Sequence, residues 1–139
     1  MTLSRIFTLT LAVTMVFVAG IPMGLEAGAA EPAKPARGDF QRIEGRWVRP
    51  DGGYVLDLKD IRKDGSLTAE YFNPRPIRVL RANASRKDGA IALFVELRDK
   101  NYPGSLYRLH YDSATDRLKG TYYQAVERRT FNIEFVRVR

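Results

Sequence analysis

The sequence predicts an all-β domain, an eight-stranded antiparallel up-and-down barrel preceded by a signal peptide and a short linker. Three observations carry that expectation. From Gly45 onward apolar and polar residues alternate with period two, as in strands with one buried face. Val, Ile, Leu, Tyr and Phe dominate these runs, which suits a pleated, half-buried surface. The connections are short and turn-rich, so neighbouring runs should pair antiparallel.

Residues 1–30 read as a signal peptide. Arg5 supplies a positive start, Ile6 to Gly20 is apolar apart from threonines, and Ala27-Gly28-Ala29-Ala30 suits a signal-peptidase site. A membrane anchor is the competing reading, but the apolar stretch is short for a span of ~20 residues and a polar, Pro-containing stretch follows it. Cleavage leaves roughly 110 residues, enough for one core. Residues 31–43 read as a flexible linker and 44–139 as the barrel domain; Glu31–Asp39, with two prolines, has no apolar periodicity. With no cysteine anywhere, neither a disulfide nor a lipid-attachment thiol is available. The expected location is periplasmic or extracellular, with no transmembrane segment after cleavage.

The first strand, Glu44–Arg49, turns Trp47 inward. Tyr54–Asp60 turns Tyr54, Leu56 and Leu58 inward, and Leu67–Asn73 turns Leu67, Ala69 and Tyr71. The fourth, Ile77–Ser85, is irregular. Ile77 and Val79 face one way while Leu80, Ala82 and Ala84 face the other, and a bulge after Val79 reconciles them. Ile91–Arg98 buries Ile91, Leu93, Val95 and Leu97; Ser105–Asp112 buries Tyr107, Leu109 and Tyr111. Leu118–Gln124 contributes Leu118, Gly120 and Tyr122, and Thr130–Arg137 contributes Phe131, Ile133 and Phe135. "LTAEYFN" (Leu67–Asn73) echoes "LKGTYYQ" (Leu118–Gln124), which sets Asn73 and Gln124 at equivalent strand ends. Closing a meander removes its edges, and at eight strands the interior is filled by side chains or holds one small ligand.

Alternate turns of a meander lie at opposite ends. One end collects "IRKDGS", "SRKDGA" and "DSATDR", which read as plain connections. The other collects "RPDGGY", "NPRPIR", "RDKNYPGS" and "QAVERRT". There Tyr102-Pro103-Gly104-Ser105 suits a type II turn, and two prolines stiffen Asn73–Pro76. Rigid turns carrying polar side chains suit a binding rim. Side chains expected to converge there are Arg49, Tyr54, Tyr71, Asn73, Asp99, Tyr107, Tyr122 and Gln124, with Arg49 and Asp99 a candidate ion pair. Aromatic walls with a few convergent polar groups are the usual form of a small-molecule site. The same residues also suit a closed plug in which hydroxyls and amides satisfy one another.

Gly45-Arg46-Trp47 at the start of the first strand, with Arg137 near the end of the last, resembles the calycin superfamily of lipocalins, fatty-acid-binding proteins and avidins. The resemblance implies a barrel whose tryptophan sits at the closed end with Arg137 packed across it. Gly45–Trp47 followed by "DGSLTAEYFN" is most similar to avidins, where Tyr71 falls on a biotin-binding tyrosine. Trp47 is the only tryptophan, whereas avidins line their biotin pocket with several, so the resemblance carries the fold rather than biotin. The domain is also similar to uncharacterised exported bacterial proteins with segments of the "FNPRPI" and "ELRDxNYPGS" type.

Catalysis is not expected. Ser105, His110 and Asp112 form a triad only on paper, because alternation puts His110 and Asp112 on the face opposite Tyr107. One histidine and no cysteine disfavour a zinc or copper site, and no EF-hand loop is present. No cofactor is implied.

With 23 Lys and Arg against 16 Asp and Glu the chain carries a net charge of +7. In an exported protein that suits an acidic ligand or an anionic envelope surface, and no nucleic-acid motif accompanies it. The leading expectation is a non-enzymatic protein holding a small, partly polar or anionic ligand at one open end. The alternative is a protein–protein module, such as an inhibitor of a secreted enzyme, acting through the N-terminal tail and rim loops.

Overall fold

The computed structural model describes residues 39–139. The expected signal peptide and residues 31–38 of the expected linker lie outside the described residues.

A single antiparallel sheet of nine strands curls into a nearly closed barrel. In chain order the strands are β1 (Gly45–Val48), β2 (Val55–Lys59), β3 (Thr68–Asn73), β4 (Arg75–Ile77), β5 (Val79–Lys87), β6 (Ala90–Asp99), β7 (Tyr102–Asp112), β8 (Arg117–Gln124) and β9 (Arg129–Arg137). Their spatial order is β4-β3-β2-β1-β9-β8-β7-β6-β5. It is the expected up-and-down meander, with nine strands in place of eight because the predicted fourth strand breaks at Arg78 into β4 and β5. The break has a local cause. Pro76 offers no N–H to a ladder, and the Arg78 backbone N–H turns instead to Asp99 Oδ2 at 3.0 Å.

The bulge expected after Val79 is present. Val79 pairs with Leu97 and Arg81 with Glu96, which leaves Leu80 as the extra residue, 43% exposed. The turn expected at Tyr102–Ser105 is not there. The chain reverses at Lys100 and Asn101, and Asp99 pairs with Tyr102. Asp99 Oδ1 accepts the Lys100 N–H at 2.7 Å, so its side chain stabilises the earlier reversal. Gly104 then becomes the extra residue of a bulge, since Leu97 pairs with Ser105 and Arg98 with Pro103. Pro103 lies beyond the last β7–β8 rung, Leu106 with Tyr123, so it removes no donor from that ladder.

The inward faces read from alternation form the core. Trp47, Leu56, Leu58, Tyr71, Leu93, Val95, Leu97, Tyr107, Leu118 and Phe135 are all buried. Ile43, Ile61 and Ala84 join them. Ile43 belongs to the stretch expected as linker. Phe40–Ile43 is a 3-10 helix that sits against the barrel, and Ile43 is fully buried.

That helix marks the closed end. Trp47 Nε1 donates to the Ile43 carbonyl at 2.9 Å. The Arg137 guanidinium lies 4.1 Å from the centre of the Trp47 ring, as the resemblance implies. Arg137 also donates to the carbonyls of Glu44 and Arg42, each at 2.6 Å, and its Nε reaches Asp116 at 3.0 Å. A side chain at Gly45 would bring a Cβ within 3.2 Å of Arg137 Nη1, which explains a glycine ahead of the tryptophan.

Between β5 and the residues leading into β3 the sheet closes through one bridge, Ser66 with Asn83, and a bond from the Ala84 N–H to the Gly65 carbonyl at 2.7 Å. Gly65 has φ +85°, and a Cβ there would stand 2.0 Å from the Ala84 carbonyl oxygen. Gly65→Ala should therefore cost more than about 1 kcal/mol in urea unfolding. Gly89→Ala shares the positive φ but meets no atom within 4 Å, so it should cost less; equal losses would remove the role given to this contact.

A second expectation concerns acid. The hydrogen bond from Arg137 holds the Asp116 carboxyl below its ordinary value. A depressed pKa contributes stability above the unfolded value, about 3.9 for Asp, and that stability is lost as pH falls through the folded value. Asp116→Asn should be less stable at neutral pH and lose less on acidification below about pH 4. Parallel acid-unfolding curves for the two proteins would contradict this.

Candidate functional site

The opposite end gathers the reversals after β1, β3, β6 and β8. Arg49 follows β1 directly, and its backbone closes the first of these turns. Its N–H donates to the Tyr54 carbonyl at 2.9 Å, and its carbonyl accepts the Gly53 N–H at 2.9 Å. This fixes the side chain's origin at the mouth, and the guanidinium points in: Arg49 is only 7% exposed.

Each nitrogen of that guanidinium donates a hydrogen bond. Nε and Nη2 form a two-point fork on Asp51, at 2.9 and 2.6 Å. Nη1 donates to the Tyr107 hydroxyl at 3.1 Å. The charge also sits 4.5 Å from the Tyr54 ring centre and 5.5 Å from that of Tyr122. Tyr107 and Tyr71 share a hydrogen bond of 2.8 Å between their hydroxyls. Tyr107 stacks on Tyr122 with centroids 4.5 Å apart, and Tyr71 lies parallel to Tyr54 at 6.4 Å. The result is one continuous chain, Asp51–Arg49–Tyr107–Tyr71, walled by aromatic rings. Every buried side-chain nitrogen and oxygen among the described residues has a hydrogen-bond partner.

The structure thus unites Arg49, Tyr54, Tyr71, Tyr107 and Tyr122. Asn73 is attached through Tyr102, whose hydroxyl accepts its Nδ2 at 2.6 Å. Asp99 and Gln124 are not part of the cluster. Asp99 is exposed and accepts the backbone N–H groups of Arg78 and Lys100. Gln124 Oε1 accepts the Glu127 N–H at 2.9 Å and so holds the β8–β9 turn. The expected Arg49–Asp99 ion pair is replaced by Arg49–Asp51, because Asp51 reaches the fork from within the same tight turn.

Three contributors escaped the sequence reading. Asp51 was legible only as part of an Asp-Gly turn, although its place two residues after Arg49 is the signal. Tyr102 was assigned to the misplaced turn. Ser105 is fully buried, and its Oγ accepts the Ala125 N–H at 3.1 Å. Ser105, His110 and Asp112 are not assembled, since His110 is exposed and Asp112 engages Lys119 and Thr115.

Electrostatics follow from burial. Desolvation pushes the Tyr71, Tyr107 and Tyr122 hydroxyls above their ordinary values, so all three are neutral at physiological pH. Burial works against the Arg49 charge, but the bonds to Asp51 and Tyr107 outweigh it and raise its pKa. The same bond holds Asp51 below the usual carboxylate range. The site is therefore a buried, carboxylate-paired cation among neutral phenols. Around the rim, Arg75, Arg78, Lys100 and Arg128 are exposed and form no ion pair among the described residues.

Among the described residues no group of three or more His, Asp or Glu side chains is placed to hold a metal. No helix among them is long and apolar enough to cross a membrane. Neither a family model, nor a curated protein, nor a solved structure matches the chain.

The chain of bonds has an order that stability measurements read. Tyr107→Phe strips Arg49 Nη1 and the Tyr71 hydroxyl of their partner at once and should cost about 1–3 kcal/mol. Tyr71→Phe leaves the Tyr107 hydroxyl bonded to Arg49 and should cost less. Urea titration of both variants decides it; a larger loss for Tyr71→Phe would reverse the order.

Proposed function

We propose that the chain is an exported, non-enzymatic binding protein that holds a small, partly polar or anionic ligand at the tyrosine-lined end of a calycin-like barrel. The observation that carries this reading is the buried guanidinium of Arg49, encircled by Tyr54, Tyr107 and Tyr122. The carboxylate that pairs this buried cation, Asp51, is itself exposed, so an anion from solution can compete for the fork, and the rings offer flat apolar surface beside it. Rim cations with no ion-pair partner among the described residues favour the approach of negative charge. Export rests on the residue pattern of 1–30, and an anionic envelope surface fits the same rim charges.

A second reading has its own observation. Tyr71 and Tyr107 are almost fully buried and bonded to each other, so the end of the barrel is filled. A filled barrel leaves the rim turns and the preceding tail as its recognition surface, as in an inhibitor of a secreted enzyme.

Native mass spectrometry of the mature protein from its own cell envelope, compared with its denatured mass, separates the two. The expected result is a retained small molecule that Tyr71→Ala and Tyr122→Ala no longer hold. A clean unliganded mass for the wild type would favour the second reading; retention unchanged in both variants would move the site away from this end.

A further inference from the structure

We propose that Asp51 is an internal stand-in for the ligand's own carboxylate, so that the site takes a monocarboxylate and admits it when Asp51 swings off Arg49. The inference rests on the binding reading above and gives its ligand a chemical class.

The first argument is the asymmetry of the pair. The Arg49 side chain is 8% exposed and that of Asp51 57%. The cation is built into the barrel end, whereas the anion hangs from the surface turn. Asp51 leaves without uncovering apolar core, but Arg49 has no route out that keeps its contacts with Tyr54, Tyr107 and Tyr122.

Independence of the turn is the second argument. The Arg49–Tyr54 reversal is held by backbone bonds, from Arg49 to Tyr54 and from Gly53 to Arg49, and neither uses the Asp51 side chain. The carboxylate is therefore dispensable to the fold of its own turn. Its strong contacts are those with the fork, through both oxygens.

The third argument is what would be left behind. Without Asp51 the guanidinium keeps one hydrogen bond, to Tyr107. A buried cation with two free donors and a planar fork is matched by another planar, two-oxygen anion. The half-buried rings of Tyr54 and Tyr102, packed beside and at the edge of Tyr71, provide a surface for the apolar body of such a molecule. A carboxylate joined to a flat apolar group fits both parts.

The test is a titration with sodium benzoate at constant ionic strength, read from the Arg49 Nε–H resonance and from the melting temperature. In the wild type benzoate competes with a tethered carboxylate at high effective concentration. Asp51→Asn keeps the shape and removes the competitor, so half-saturation should fall at least ten-fold. Asp51→Asn should also gain more melting temperature from benzoate than the wild type does. Adding Arg49→Lys to Asp51→Asn should abolish the gain, because the fork is lost. Equal half-saturation for wild type and Asp51→Asn, or a gain that survives Arg49→Lys, overturns the stand-in. If that happens while the envelope-purified protein still retains a molecule that Tyr71→Ala and Tyr122→Ala release, the binding reading stands without it. No retained molecule together with no benzoate response overturns both.

Discussion

The barrel depends on a short seam. β1 and β9 share two rungs, Trp47 with Arg137 and Val48 with Val136, whereas β9 and β8 share eight. Two rungs are little to hold the first strand to the last. The Val138 N–H adds a bond to the Arg46 carbonyl at 2.8 Å, and Arg137 adds side-chain ties: it lies over Trp47, takes the carbonyls of Arg42 and Glu44, and anchors on Asp116 in the β7–β8 turn. One side chain thus joins the beginning of the domain, its first strand, its last strand and a loop. Ile43 is buried because this clamp, with the Trp47 Nε1 bond, draws the 3-10 helix against the barrel.

Where the pattern was local and repetitive, it was legible. Alternation from Trp47 to Phe135 identified the inner wall because a one-residue slip would reverse every face. The conflict between Val79 and Ala82 announced the bulge, since two apolar runs of opposite parity cannot share one regular strand. The reading went wrong where two local signals competed. Pro103-Gly104 has the composition of a turn, but Asp99 caps a reversal three residues earlier, and the Pro-Gly pair is absorbed as a bulge. Ile43 was missed because one buried residue in a polar segment has no periodicity to betray it, although Phe40 and Ile43 stand at helical spacing.

The site was legible as a set of residues and not as a set of contacts. Asn73 and Gln124 both end strands, as the internal echo implied, yet Asn73 binds Tyr102 while Gln124 holds a turn. Strand position fixes which end a side chain reaches. Which partner it finds depends on the turn that follows: Pro74 alone links β3 to β4, whereas four residues link β8 to β9. Arg49 shows the same point, for alternation directed it inward while its carboxylate came from the neighbouring turn rather than from Asp99.

The two ends of the barrel repeat one device with different consequences. Each has an arginine over an aromatic ring and paired with an aspartate: Arg137 with Trp47 and Asp116, Arg49 with Tyr54 and Asp51. Arg137 also holds two backbone carbonyls, which cannot leave, and Asp116 is itself held by the Tyr111 hydroxyl. That set is locked from both sides. Among the described residues Arg49 has no such backbone acceptor, and its aspartate is exposed on a turn closed by backbone bonds. A cation buried in this way is bonded well only while a carboxylate is present, and nothing in the fold requires that carboxylate to belong to the chain. The closed end therefore ties its arginine to backbone that cannot move, and the other end ties its arginine to one exposed carboxylate.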